Sequence, residues 1–127
     1  MKKAMPSDLE MQILSVLWER GPSTVRQVLQ SMPDGKQRAY TSVLSVMQVM
    51  EKKGLLTRSS RGVAHIYRAA MSRRKILGPF LRRVVDEVFL GRPAAMMQAL
   101  LFGTQVTREE LAEIRKLLDE AGKKKGG

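Results

Sequence analysis

The spacing of the apolar residues changes at Gly54, and that change decides what the chain can build. Before it, apolar side chains recur at helical intervals: Leu9, Ile13, Val16 and Leu17, then Val25, Val28, Leu29 and Met32, then Val43, Val46, Met47 and Met50. After it, Leu55-Leu56-Thr57-Arg58 and Ala64-His65-Ile66-Tyr67-Arg68 read as two strands, with Ser59-Ser60-Arg61-Gly62 as the polar turn between them. Gly54 stands where a left-handed residue ends a helix. Three helices followed by a hairpin is the order of a winged helix, whose third helix enters the major groove of DNA. The expected fold is mainly α with a small β-hairpin wing.

Helix starts are written in capping boxes, in which a hydroxyl accepts from the backbone three residues on and the side chain there reaches back. Ser7-Asp8-Leu9-Glu10 opens the first helix, and Gly21-Pro22 stops it. Thr24-Val25-Arg26-Gln27 opens a short second helix, which ends at the turn Pro33-Asp34-Gly35. The third helix is expected over about 39–53.

Beyond Ser72 the chain is again helical. Ile76, Phe80, Val84, Val88 and Leu90 suggest a helix over about 73–90, disturbed by Gly78-Pro79 and broken by Gly91-Arg92-Pro93. Pro93 starts another, with Met96, Met97, Leu100 and Leu101. Thr107-Arg108-Glu109-Glu110 opens the last, with Leu111, Ile114, Leu117 and Leu118. About 55 residues of this kind bury little apolar area alone, so a core shared with a second copy is the physical solution. The residues expected to line it are Phe80, Val84, Val88, Met96, Met97, Leu100, Leu101, Leu111, Ile114 and Leu118. The organisation is therefore a winged helix-turn-helix domain over 1–70, a three-helix dimerisation region over 71–121 and a disordered basic tail over 122–127.

Charge narrows the partner. The 127 residues hold 23 Lys and Arg against 12 Asp and Glu, a net charge of +11. The excess lies in both halves: 11 basic against 5 acidic residues up to Ala70, and 12 against 7 after it. So basic a small chain attracts polyanions. The absence of cysteine excludes disulfides, thiolate nucleophiles and Cys-based metal sites, and the single histidine, His65, reads as structural. No metal or cofactor is expected. No nucleophile–base pair, P-loop or dinucleotide fingerprint occurs, and Asp86-Glu87 and Glu109-Glu110 diverge by about 100° on a helix, so an enzyme is not expected. The basic N-terminus lacks the apolar run of a signal peptide, and the greasiest stretch, 94–102, is too short to span a bilayer. A cytoplasmic protein without membrane insertion follows.

On the third helix, the face opposite Val43, Met47 and Met50 carries Thr41, Ser42, Ser45, Gln48 and Lys52. Small hydroxyls let a helix sit deep in the groove, and Gln can pair with adenine. Arg38 and Tyr40 precede this face and suit phosphate contact. In the wing, spanning 58–63, Arg58, Ser60 and Arg61 are the expected backbone or minor-groove contacts. A winged helix that binds protein instead of DNA is the alternative; an acidic or apolar third-helix face would favour it.

Three segments in this order resemble the penicillinase-repressor type, the BlaI/MecI family: Ser7-Asp8-Leu9-Glu10-Met11-Gln12-Ile13-Leu14 with Trp18; Ala39-Tyr40-Thr41-Ser42-Val43-Leu44 with Glu51-Lys52-Lys53-Gly54-Leu55; and Gly62-Val63-Ala64-His65-Ile66-Tyr67-Arg68. The resemblance spans roughly 5–121. It implies a homodimeric transcriptional repressor on double-stranded operator DNA with dyad symmetry. It also implies a sensor-linked protease that lifts repression by cutting in the dimerisation region, here near Leu101-Phe102. Val49 and Val63 depart from it, standing where relatives often carry basic residues. Copper-responsive relatives use C-terminal cysteines, which this chain lacks.

Overall fold

The computed structural model describes residues 5–125. In chain order the elements are α1 (Asp8–Arg20), α2 (Val25–Gln30), α3 (Tyr40–Lys52), β1 (Leu56–Arg61), β2 (Ala64–Ala69), α4 (Arg73–Glu87), α5 (Pro93–Gly103) and α6 (Arg108–Lys125). Three helices and an antiparallel hairpin form the winged helix, and three more helices follow.

The first two capping boxes form in full. Ser7 Oγ accepts from the Glu10 amide at 3.2 Å while Glu10 Oε1 accepts from the Ser7 amide at 2.9 Å. Thr24 and Gln27 repeat the exchange at 3.1 and 2.9 Å. The third forms only its first half, from the Glu110 amide to Thr107 Oγ1. The end of α3 is equally well defined. Gly54 takes φ 82°, the Leu55 amide donates to the Met50 carbonyl and the Gly54 amide to that of Glu51. This Schellman closure needs a left-handed residue, which glycine supplies without steric cost.

The inward faces make one core. Ile13, Leu14, Leu17, Val28, Val43, Met47, Met50, Leu56 and Tyr67 are buried there, with Trp18 and Leu44 packed at its margin. The core reaches beyond the hairpin: Ile76, in the first turn of α4, is buried in it. Trp18 Nε1 donates to the Met71 carbonyl at 2.9 Å. Arg73 stacks over the Trp18 ring at 5.3 Å and pairs with Glu19 at 3.1 Å. The chain divides into two compact units between Leu81 and Arg82, not at residue 70, because the start of α4 is fastened to α1.

Three local expectations are corrected. The hairpin turn is Gly62-Val63, since β1 runs on to Arg61 and pairs with Ala64. Gly62 at φ 64°, with Val63 outside the positive-φ region, fits a type II′ turn. The polar residues Ser59, Ser60 and Arg61 are exposed strand, not turn. Second, the helix expected to reach residue 90 stops at Glu87. There the Gly91 amide folds back onto the Val85 carbonyl and Leu90 takes φ 52°, ending the helical path. Third, the tail expected to be disordered from 122 is helical to Lys125; its final lysines lie at the C-terminal end, where the helix dipole favours positive charge. Gly126 and Gly127 lie outside the described residues.

The second unit has a different character. No residue of α5 or α6 is buried. Val84, Val88, Leu90, Leu100, Phe102, Leu111, Leu117 and Leu118 are all exposed. Apart from Gln98, every side chain of α5 is apolar, so no face of it suits water.

Candidate nucleic-acid interface

The pattern of burial along α3 sorts its side chains. Val43, Met47 and Met50 have no solvent contact. Thr41, Ser45, Gln48 and Lys52, spaced three or four apart, form one exposed polar stripe, with Ser42 and Val49 beside it. The structure thus brings together all five polar α3 residues expected from the sequence. Val49 is 47% exposed among them, an apolar contact surface in an otherwise polar stripe. Ala39 gives the first turn of α3 no side-chain cap, so the amides there can receive an anion.

The loop before α3 is braced by a fork. Arg38 Nη1 and Nη2 donate to Asp34 Oδ1 and Oδ2 at 2.9 and 2.6 Å, and the Lys36 amide donates to Oδ1 at 3.0 Å. The Arg38 guanidinium and the Lys36 amide hold the Asp34 carboxyl well below the usual carboxylate range. The same contact raises Arg38 above its ordinary value. Arg38 therefore has a structural partner that its sequence position did not announce.

Sequence reasoning missed Arg26. It projects from the first turn of α2, and its guanidinium lies 5.3 Å from the centre of the Tyr40 ring. Both residues are exposed, which puts a cation over the aromatic ring at the start of α3. A basic residue just inside a capping box, one helix before the exposed polar stripe, was the available signal.

The hairpin register separates the wing arginines. Arg58 pairs with Tyr67 and Ser60 with His65, so these share the ribbon face of Leu56; Arg61 lies on the other face. Ser60 Oγ and His65 Nδ1 are 3.4 Å apart. Arg58 Nε lies 3.7 Å from Glu51 Oε2 on α3. Gln48, Glu51, Lys52 and Arg58 line an open groove between helix and wing. Among the described residues, Arg61 and Lys52 form no ion pair.

At the far end of α3, Lys53 Nζ reaches Glu10 Oε2 at 3.0 Å. Burial alone would push the Glu10 carboxyl up; the Ser7 amide and the Lys53 ammonium outweigh it and leave the pKa below its ordinary value. Among the described residues, no His, Asp and Glu cluster could hold a metal, and no helix is long and apolar enough to cross a membrane.

A winged helix with an exposed polar third helix and a basic wing defines a class of regulatory domain, and comparison gives the family. The chain belongs to the penicillinase repressor family, whose model matches residues 6–120. It is similar to the transcriptional regulator BlaI of two Mycobacterium tuberculosis strains, CDC 1551 and H37Rv. Each is 31% identical over 116 residues, covering 89% of this chain and 82% of the relative. The chain is thus placed among transcriptional repressors, a family of regulators and not of enzymes.

Proposed function

We propose that this repressor acts as a homodimer on double-stranded DNA with dyad symmetry, α3 in the major groove and the wing along the backbone. The observation that carries the reading is the stripe of Thr41, Ser45, Gln48 and Lys52, exposed beside a wing whose Arg61 has no acidic partner among the described residues. Hydroxyl and amide groups at that spacing can read base edges, and the cations neutralise phosphates. A protein-binding winged helix would be better served by an acidic or apolar face. Arg26, Tyr40, Arg58 and Ser60 add backbone contacts at the margins, while Arg38 braces the approach to α3.

The second copy is the natural cover for α5 and α6. A helix this apolar, exposed in one chain, is stable only when something buries it. Phe80, Val84, Val88, Met96, Met97, Leu100, Leu101, Leu111, Ile114 and Leu118 would form that shared core. Proteolysis near Leu101-Phe102 would lift repression. Both residues lie in the last turn of α5, and Phe102 is 83% exposed. A cut there detaches α6, and two linked half-site contacts become independent, with an effective-concentration loss of roughly 10²–10⁴.

Selection from a random-sequence duplex pool tests the reading. Enrichment of an inverted repeat with half-sites about one helical turn or a multiple apart is expected. A pool that returns no repeat, or a single unpaired half-site, would overturn it.

A further inference from the structure

The Arg58–Glu51 contact is more than incidental. The hairpin register turns Arg58 onto the face it shares with Leu56 and Tyr67, away from that of Arg61, so its guanidinium faces α3 across the groove. With α3 in the major groove and the wing along the backbone, as proposed above, the space between them borders a phosphate strand. The anion now beside Arg58 in that space is Glu51, on the same helix as the base-reading stripe. At 3.7 Å from Nε the carboxylate is close enough to neutralise Arg58 but makes no hydrogen bond with it. Both side chains are about one-third exposed, so the pair is screened and inexpensive to break.

We infer that Glu51 competes with DNA phosphate for Arg58, an autoinhibitory contact that lowers the affinity of the repressor for every duplex. The inference rests on the reading that α3 and the wing face DNA. A phosphate entering the groove takes over the guanidinium, which can then donate two parallel hydrogen bonds where Glu51 received none. Glu51, left without its cation, recruits one from solution, and this uptake cancels part of the ion release that drives binding. Arg58 therefore contributes less than its charge promises, and Arg61, without an acidic partner among the described residues, contributes in full.

The test is a double-mutant cycle on the full-length protein with a mixed-sequence duplex, across a salt series. Glu51→Gln should tighten binding about two- to fivefold per protomer. It should also steepen the dependence of log affinity on log salt by about one per protomer. In an Arg58→Ala background the same substitution should do much less. Three results would overturn the inference. Weaker binding by Glu51→Gln would mean that the carboxylate holds Arg58 in its useful position. Equal tightening with and without Arg58 would mean that Glu51 acts only as a negative charge near DNA. Unchanged affinity would mean that the two do not compete. Wild-type protein that binds no duplex at any salt would remove the DNA reading itself, and the wild-type curve shows this separately from the cycle.

Discussion

Ser23 and Tyr67, 44 residues apart in the chain, exchange two backbone hydrogen bonds, the Ser23 amide to the Tyr67 carbonyl at 2.9 Å and the Tyr67 amide to the Ser23 carbonyl at 2.8 Å. This single bridge joins the α1–α2 connection to β2 and makes a third, one-residue strand beside the wing. Both residues are fully buried. The wing is thereby held at its base, while its tip at Gly62-Val63 stands in solvent.

Tyr67 thus carries the hairpin and fills the core beneath it. Tyr67→Ala should cost about 3–5 kcal/mol, read from urea unfolding. A loss near that of a surface substitution would show that the Tyr67 side chain does not hold the hairpin onto the core.

Acid should weaken the fold through Glu10. Its pKa is lowered in the folded protein, so its contribution is complete above the ordinary value of 4.5 and is lost as pH falls through the lower folded value. The urea midpoint should therefore drop on acidification. Glu10→Gln should be less stable near neutrality by about 1 kcal/mol, through the lost ion pair and the weakened capping box, and should show a flatter pH profile. Equal pH profiles for the two proteins would exclude Glu10 as the group concerned.

The winged-helix half should need the start of α4. A fragment ending at Ala70 loses buried Ile76, the Met71 carbonyl that accepts from Trp18 and the Arg73 stack. It should be less stable than a fragment ending at Leu81 by about 2–4 kcal/mol. The longer fragment should sediment as a monomer and the full chain as a dimer. A monomeric full chain at micromolar concentration would contradict the role given to α5 and α6.

Much of this arrangement is legible in the sequence. The starts of α1 and α2 lie at Ser7 and Thr24 because a capping box satisfies orphan amides locally. The outer face of α3 is legible because a 3.6-residue period puts Thr41, Ser45, Gln48 and Lys52 opposite Val43, Met47 and Met50. What escaped is non-local or aperiodic. A one-residue strand at Ser23 has no alternation to detect. The wing buries only Leu56 of β1 and Tyr67 of β2, so Ser59 and Ser60 imitate a turn. The unit boundary is hidden because α4 runs through it without changing period. The partners of Arg38 and Arg58 depend on distances that spacing alone does not fix.

Two classes of substitution should separate positioning from reading. Arg61→Ala should weaken binding on all duplexes alike and flatten the salt dependence. Thr41→Ala or Ser45→Ala should cost about 1–3 kcal/mol only on sites where a base contact is lost. Uniform losses for all three would mean that α3 reads no sequence.

The most direct test of the central claim is a salt titration of full-length protein on the selected duplex and on a scrambled one. With a net charge of +11, and two copies of the interface in the proposed dimer, affinity should fall by orders of magnitude between low and moderate salt. The selected duplex should keep its advantage throughout. A nearly flat dependence of log affinity on log salt, or equal binding of both duplexes, would contradict the account.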